Sequence, residues 1–407
     1  MKVLIVGAGA QGGPCASILA RDKDVSKIVL GDINLGLADK VKNKINSNKI
    51  TTVKLDAGKV EDIERAAQGV DVIINLTLVR FNAKIMKAAV NSGAHYVDAA
   101  MDYPLWAQLT ENQPLDLDDE FKKAGLTALV DCGGSPGITN VLARYASDKL
   151  DRVDEIKVRL GGKLLEKPKE VVSAWAPGWC PEIALTDYAD ATPVFEDGKW
   201  KVYPPFSGTE EYNFPDPVGP VLLCHHHHEE APTLARFIGK GIKYVDFKFP
   251  VDLLAGAFIK MGFASSKPID VKGVQVAPID VLMKLVRQPV DTFFTETEAT
   301  AKLPPESAFF IVVEVKGAKS GEDVKYTLSL APETTEENLE SYRRFGTTTI
   351  FVAIPTIVAA KICIEGDADR GIIAPECLDP IKFLKRMADM GAPIKFHEMC
   401  SKEVAIS

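Results

Sequence analysis

The sequence feature that most limits how this chain can fold is a glycine-rich turn between a short apolar run and a helical pattern. Residues 3–6 are all apolar, the turn at residues 7–12 reads GAGAQG, and a helix is predicted directly after it. Gly7 permits a tight turn, Gly9 lets the backbone approach a pyrophosphate, and Gly12 lets a helix pack closely on a strand. This spacing in this context predicts a dinucleotide-binding loop.

The turn and the strand after it also indicate which dinucleotide binds. The phosphates would lie beside Ala10 and Gln11 at the helix N-terminus, where free N–H groups and the helix dipole favour negative charge. The next strand ends at Asp32, 20 residues beyond Gly12, where a carboxylate accepts ribose hydroxyls and repels a 2′-phosphate. No arginine stands beside Asp32, so the sequence favours NAD over NADP. The alternative is a structural turn followed by an incidental aspartate.

The first 135 residues alternate short apolar runs with helical patterns. Strands are predicted at 3–6, 28–30, 52–55, 71–75, 95–97 and 126–131, and helices at 14–21, 37–45, 60–67 and 82–91. Continuous β-branched runs between helices are typical of a parallel sheet that is covered on both faces. Residues 1–135 are therefore predicted to form an N-terminal Rossmann domain, an α/β fold with a doubly wound parallel sheet.

Ligands of such sheets gather where the strands end. The third predicted strand leads to Asp56, the fourth leads to Asn75-Leu76-Thr77, and the fifth leads to Asp98. We expect Asn75, Leu76 and Thr77 to run beside the cofactor, Asp98 to lie at the same edge, and Asp56 to reach the adenine. The alternatives are a solvated loop residue for Asp56 and a helix cap for Asp98.

Beyond about residue 135 the pattern changes. Apolar residues alternate with polar ones at 156–160, 245–249 and 326–330. Alternation is typical of strands with one buried face, as in an antiparallel or mixed sheet. We predict a second, α+β mixed-sheet domain over residues 136–345, for substrate binding, and a C-terminal helical segment over residues 346–407.

Composition excludes several classes of partner. The net charge of −8 argues against nucleic acid, which needs a basic surface. No run of about 18 apolar residues is present, so no membrane span is predicted. The seven cysteines form no Cys-x-x-Cys pair, which indicates neither a disulfide framework nor a zinc ribbon and favours a cytoplasmic location.

Several segments, in their order along the chain, resemble the saccharopine dehydrogenase family, including its lysine 6-dehydrogenase-like members. They are residues 7–13, 93–98, 132–140, 197–205, 228–233 and 371–376. The resemblance implies hydride exchange between a nicotinamide and a carbon bearing nitrogen, in an amino acid, an opine-like amine or a polyamine-type imine. It also implies that the C-terminal segment returns to the Rossmann domain and that a homodimer forms through the second sheet.

Where some relatives carry an acid, this chain has Ser135, so that acid's role cannot be carried over. Ser135 is still expected beside the cofactor. A substrate carboxylate would be bound by an arginine, for which Arg144, Arg236 and Arg343 are equal candidates.

Oxidising an amine requires groups that hold and move a proton. Histidine and glutamate suit this task because modest changes of environment bring their pKa values near neutral, and they are concentrated at residues 224–230, CHHHHEE. We expect His228 and Glu229 to be catalytic, with His227 next. Tyr96 and Asp98 share one side of a strand and are expected to act as a pair. The alternative is core histidines and a solvated glutamate.

A zinc site at the four histidines is a further alternative. Successive residues on a strand point to opposite faces, so the four cannot converge on one ion, although a helical turn would bring His225 and Glu229 together. We predict no metal. Besides the favoured amine or amino-acid dehydrogenase, a non-catalytic NAD(H)-binding redox sensor and a carboxyspermidine- or opine-type synthase remain open. The His-Glu segment favours an enzyme, since a sensor has no need of proton transfer.

Overall fold

The computed structural model describes residues 1–165, 175–305 and 307–402. The first part of the chain alternates strands with helices, in agreement with the predicted pattern. Its elements are β1 (Lys2–Val6), α1 (Gly12–Arg21), β2 (Lys27–Asp32), α2 (Leu35–Ile45), β3 (Ile50–Lys54), α3 (Val60–Ala66), β4 (Val72–Asn75), α4 (Asn82–Ser92), β5 (His95–Asp98), α5 (Tyr103–Thr110), α6 (Asp118–Ala124), β6 (Thr127–Leu129) and α7 (Ile138–Ser147). The sequence pattern did not predict α5 and α6.

Beyond α7, longer strands alternate with short helices. These elements are β7 (Arg152–Leu164), α8 (Pro181–Ala189), β8 (Thr192–Glu196), β9 (Lys199–Tyr203), β10 (Glu210–Asn213), β11 (Pro220–His225), α9 (Glu230–Phe237), β12 (Tyr244–Pro250), α10 (Leu253–Lys260), β13 (Ile269–Val271), β14 (Val274–Val276), α11 (Pro278–Leu285), α12 (Val290–Thr295), α13 (Glu298–Ala301), β15 (Ser307–Lys319), β16 (Glu322–Leu330), α14 (Thr335–Phe345), α15 (Ala353–Glu365), β17 (Gly371–Ile373), α16 (Pro380–Met390) and β18 (Phe396–Lys402). The two sheets described next are built from these strands and those of the first part.

The first sheet is parallel throughout, with the strand order β17-β6-β5-β4-β1-β2-β3. Alternate residues of β1 enter two different cores, Val3 and Ile5 on one face and Leu4 and Val6 on the other. Because both faces are buried, the strands are continuous apolar runs. The predicted doubly wound Rossmann sheet is confirmed.

The second sheet has nine strands and is mixed, as predicted. Its central strand β12 pairs parallel with β7 but antiparallel with β11 and β8. The C-terminal segment contributes to both sheets, because β17 pairs with β6 and β18 pairs with β16. Among the described residues, no helix combines the length and apolar character that a membrane crossing requires.

Candidate active site

The glycine turn packs tightly against the loop after β4 and leaves open space at the start of α1. Gly7 has φ +100°, and a Cβ there would lie 2.8 Å from the carbonyl oxygen of Leu76. A Cβ on Gly12 would lie 1.9 Å from the carbonyl oxygen of Gly7, so this contact requires glycine. A Cβ on Gly9, in contrast, would meet no described atom within 4 Å. The resulting cradle at a helix N-terminus fits the pyrophosphate of a dinucleotide.

Asp32 lies at the same edge and faces the turn. Its Oδ2 accepts the N–H of Ala8 at 2.8 Å, and its Oδ1 accepts the N–H of Asn34 at 2.8 Å. Among the described residues, the buried Oε1 of Gln11 has no hydrogen-bond partner. An oriented carboxylate and an unsatisfied amide oxygen both suit a polar ligand in the cradle.

Asp56 and Thr77 make local contacts at the ends of neighbouring strands. Asp56 accepts the N–H of Gly58 at 2.9 Å and lies 3.5 Å from Nζ of Lys59, so its carboxylate is engaged by its own loop. The N–H of Thr77 donates to Oδ1 of Asn75 at 3.1 Å. Asn75 therefore shapes the loop that borders the glycine turn.

Tyr96 and Asp98 are bonded to each other behind this edge. The Tyr96 hydroxyl donates to Asp98 at 2.7 Å, Asn75 donates to the Tyr96 oxygen at 2.9 Å, and Asn82 donates to Asp98 at 3.2 Å. Burial raises the pKa of Asp98 to about 8, although Tyr96 and the N–H of Asp131 donate to its carboxylate. The pair belongs to an enclosed network that orders the ends of β4 and β5.

His228 forms an ion pair with Glu230, and Glu230 in turn bonds to residues that follow β6 of the first sheet. Nδ1 of His228 donates to Oε2 of Glu230. The other oxygen of Glu230 accepts the hydroxyl of Ser135 at 2.5 Å and that of Thr139 at 2.9 Å. Oε2 of Glu229 lies 3.4 Å from Nδ1 of His228. Side chains that follow β6 and β11 thereby share one polar centre.

Burial and the two carboxylates set the charge of this centre. Burial opposes a charge on His228, but Glu230 and Glu229 outweigh it and raise the pKa of His228 to about 9. Burial likewise opposes a charge on Glu230, but His228 holds the pKa of Glu230 below its ordinary value. Burial raises the pKa of Glu229. At neutral pH the centre therefore contains an imidazolium paired with the Glu230 carboxylate.

The consecutive histidines have different surroundings, because only His225 belongs to β11. The ring of His228 stacks on Phe247 with centroids 4.1 Å apart. The ring of His227 stacks on Trp106 of α5, 5.2 Å between centroids. His227 thus contacts the first domain, while His228 faces the polar centre.

Three further acids surround the centre: Asp131 and Glu376, which are buried, and Asp187, which is half-buried. Asp131 follows β6 with φ +59°, and neither of its carboxylate oxygens has a partner among the described residues. Burial, and then the charge of Glu229, raise its pKa. Glu376 accepts a hydrogen bond from Asn140 at 3.1 Å, and burial raises its pKa to about 7. Strained backbone and unpaired buried acids are typical of functional sites.

Comparison with known families decides the assignment. The family model of the saccharopine dehydrogenase NADP binding domain matches residues 3–129, and the family model of the saccharopine dehydrogenase C-terminal domain matches residues 133–392. The chain belongs to the saccharopine dehydrogenase family. The predicted family is confirmed, and this member of it is an NAD(P)-dependent oxidoreductase that acts on CH–NH groups.

Curated relatives align over nearly the whole chain. Carboxyaminopropylagmatine dehydrogenase of Synechocystis sp. is 26% identical, over 98% of this chain and 97% of its own length. Carboxynorspermidine synthase of Vibrio alginolyticus is 26% identical, over 96% of this chain and 95% of its own length.

Two solved structures share the fold of this family member. Apo saccharopine dehydrogenase (L-Glu forming) of Saccharomyces cerevisiae has a TM-score of 0.66 at 16% identity, over 98% of this chain and 99% of its own. Homospermidine synthase of Legionella pneumophila, in complex with NAD, has a TM-score of 0.69 at 14% identity, over 98% of this chain and 91% of its own.

Several residues of the candidate site were not predicted from the sequence, although the position of each in the sequence could have indicated it. Asp131 ends the sixth predicted strand as Asp98 ends the fifth, and Glu230 directly follows the chosen His228 and Glu229. Glu376 closes the GIIAPE segment that carried part of the resemblance. Of the candidate arginines, Arg144 contacts this group, donating to the carbonyl oxygen of Glu376 at 2.9 Å.

His228, Glu229 and Glu230 are also spaced to hold a metal ion, since one ligand atom from each lies within 4.8 Å of the others. Both oxygens of Glu230 already accept hydrogen bonds, one from His228 and the other from Ser135 and Thr139. The Glu230 carboxylate is therefore already satisfied by side-chain donors.

The charge of His228 predicts that the stability of this protein depends on pH. Because the folded state raises its pKa from 6.5 to about 9, its contribution is fully present below pH 6.5 and is lost as the pH rises through 9. The stability difference between wild type and His228→Asn should shrink over that range, measured by urea unfolding at each pH. His397→Asn, at an exposed histidine of β18, should follow wild type throughout. A difference that is constant with pH would contradict the ion pair.

Proposed function

We propose that this protein interconverts an imine and a secondary amine in a carboxylated polyamine, with NAD(H) or NADP(H) as hydride partner. The observation that carries the proposal is the surplus of acid in the polar centre. Around His228 stand Asp98, Asp131, Asp187, Glu229, Glu230 and Glu376. An enclosed site with more carboxyl groups than cations favours a substrate that carries several ammonium groups.

The two curated relatives support this substrate class. Carboxyaminopropylagmatine and carboxynorspermidine, which give those relatives their names, are both chains of amines with a carboxyl-bearing branch. Each contains a secondary amine that reduction of an imine would produce. We therefore favour the synthase-type alternative within the dehydrogenase class.

His228 is placed to give a proton in the reductive direction. Glu230 holds its Nδ1, which leaves Nε2 to exchange a proton with the substrate, as in hydrolase triads. The imidazolium protonates the hydroxyl that leaves as water when an amine and an aldehyde form an imine. Glu229, whose pKa burial raises, accepts the proton of the incoming ammonium. A bound reduced nicotinamide supplies the hydride that converts the imine carbon to that of a secondary amine.

The test is NAD(P)H oxidation followed at 340 nm. The aldehyde is a four-carbon amino-acid aldehyde, of the kind that supplies a carboxyaminopropyl group, and the amines are 1,3-diaminopropane, putrescine and agmatine. We expect oxidation that needs both reactants, with the secondary amine identified by mass spectrometry. Propylamine, which lacks the second cation, is the matched control and should react much more slowly. Equal rates with propylamine, or no oxidation with any diamine, would overturn the proposal.

We also propose that NAD is preferred, because the carboxylate of Asp32 faces the turn. Asp32→Ala should raise the ratio of NADP to NAD affinity by about ten- to a hundredfold, since hydrogen bonds to a charged group are worth about 1.5–3 kcal/mol. Fluorescence titration with NADH and NADPH measures the ratio. Asp56→Ala is the control: if Asp56 binds adenine, both cofactors weaken equally and the ratio stays constant. Tighter binding of NADP by wild type would contradict the assignment.

We also propose that the protein is a homodimer and that it is located in the cytoplasm. All seven cysteines are unpaired, which suits a reducing cytoplasm. A homodimer through the second sheet accords with the exposed apolar residues Phe309 and Met399 on its strands. Light scattering should give about twice the chain mass of 44.2 kDa, and a mass of one chain would remove the dimer.

A further inference from the structure

A second cavity, of about 410 Å³, lies away from the glycine turn. It is partly open to solvent and is lined by residues of α1, α2, α12, α13 and α14, of which Arg21, Lys44, Arg343 and Glu298 are charged. Arg21 is the last residue of α1, nine residues after Gly12. At 1.5 Å per residue the two ends of α1 are roughly 13 Å apart. The cavity is therefore distinct from the proposed cofactor cradle.

The lining of this cavity has surplus positive charge. Glu298, the one acid among the described lining residues, is shared by Arg343 at 2.9 Å and Lys302 at 3.2 Å. Nζ of Lys44 contacts only carbonyl oxygens, those of Phe294 and Glu296 at 3.3 Å, among the hydrogen bonds of the described chain. The Glu296 carboxylate favours the charge of Lys44, but it accepts hydrogen bonds from Thr347 and Thr348 and forms no ion pair with Lys44 among the described residues.

Arg21 also has no ion-pair partner among the described residues. Its NH1 donates to the carbonyl oxygen of Ser17 at 3.0 Å and to the hydroxyl of Ser17 at 2.7 Å, and no carboxylate pairs with it within the described ranges. Burial lowers the pKa of both Arg21 and Lys44, which means that their surroundings disfavour their charge. A bound anion would supply the missing counter-charge and accept the free N–H groups.

Phe293 connects the cavity with the cofactor loop. Its ring lies 5.1 Å from Nζ of Lys44 and lines the cavity. On its other side it packs on the first turn of α1, where a Cβ on Gly13 would lie 3.0 Å from the ring. An anion bound to Lys44 therefore lies beside a ring that supports the helix start beneath the glycine turn.

We propose that this cavity binds the phosphate or carboxylate group of a small metabolite and that its occupancy changes the affinity for the dinucleotide through Phe293. The site is separate from the polar centre around His228. Its existence does not depend on which amine the enzyme uses.

Calorimetry on the NADH-saturated protein tests the site, with inorganic phosphate and malonate as probes at constant ionic strength. Saturation with NADH fills the cradle at α1, so that phosphate cannot bind there. We expect one anion per chain, and a loss of affinity of at least about tenfold in Lys44→Gln and Arg21→Gln, because each removes a charged donor. Lys44→Arg should retain binding. Lys40→Gln, which removes an exposed charge from the same helix, is the matched control and should bind as wild type does.

The result also identifies the ligand class and tests the coupling. Tighter binding of phosphate indicates a phosphorylated metabolite, and tighter binding of malonate indicates a carboxylate. No binding of either probe, or equal affinity in wild type and Lys44→Gln, would overturn the site.

For the coupling, the dissociation constant of NADH should change with added phosphate in wild type but not in Phe293→Leu. A constant value in wild type would remove the coupling.

Discussion

His228→Asn should reduce turnover by about a hundredfold to ten-thousandfold, the usual contribution of a general acid, while changing NADH affinity little. Asparagine can still hydrogen-bond Glu230, but it cannot carry the proton that His228 holds with a pKa of about 9. Glu229→Gln should give a loss of the same order, because it removes the neighbouring carboxylate at 3.4 Å. Steady-state kinetics and NADH fluorescence titration separate turnover from cofactor binding.

The control for this prediction is His397→Asn, at an exposed histidine on β18, which should leave turnover unchanged. A loss of NADH affinity that matches the loss of turnover would indicate a structural role for His228. A crystal structure with bound dinucleotide gives an independent test. If every side chain from 225 to 230 lay more than about 10 Å from the nicotinamide, far beyond hydrogen-bond reach, the catalytic assignment would fail.

Arg159→Met should lower the free energy of unfolding by about 3–5 kcal/mol, the cost of leaving one partner of a buried ion pair alone. Arg159 of β7 and Asp246 of β12 are 1% and 0% exposed and are joined by two hydrogen bonds of 2.8 and 2.9 Å. Methionine fills similar space but removes the guanidinium that pairs with Asp246 and, at 3.2 Å, with Glu210. His225 lies 3.8 Å from Asp246, but burial lowers the pKa of His225 and so disfavours its charge. Urea unfolding followed by circular dichroism measures the change.

Arg152→Met is the matched control, because Arg152 lies on the same strand and pairs with Asp154 while half exposed. Its effect should be far smaller, since solvent screens an exposed pair. The double change Arg159→Met with Asp246→Leu should recover most of the lost stability, because it removes both buried charges together. Equal losses in the Arg159 and Arg152 variants would contradict the argument from burial.

Much of the nucleotide-binding domain of this protein could be predicted from local sequence. The positions of most strands among β1 to β6 followed from apolar runs, and the turn at residues 7–12 followed from backbone requirements that glycine meets at Gly7 and Gly12. Asp32 and the loop after Asn75 were found because strands of a parallel sheet end at one edge. The family was identified from the order of short segments, and both matched descriptions confirm it.

Tertiary structure alone decided how the polar centre is assembled. Ser135 and Glu230 meet although 95 residues separate them, and Asn140 meets Glu376 across 236 residues. The C-terminal segment was predicted from its helical pattern, but its strands β17 and β18 join different sheets. No local pattern encodes such pairings, because a short strand takes its partner from the whole chain.

The protonation state of the centre has the same origin. Sequence pointed to His228 and Glu229 as proton-handling types, but a pKa depends on burial and on charges within a few ångströms. Glu229 and Glu230 adjoin His228 in sequence, but the burial of the group, the Ser135 and Thr139 hydroxyls that hold Glu230, and the charge of Asp187 are brought to it only by folding. The sequence by itself thus determined the cofactor fold and the kind of chemistry. The structure decided which carboxylate holds His228 charged, because electrostatic energy depends on distance in space and not on separation along the chain.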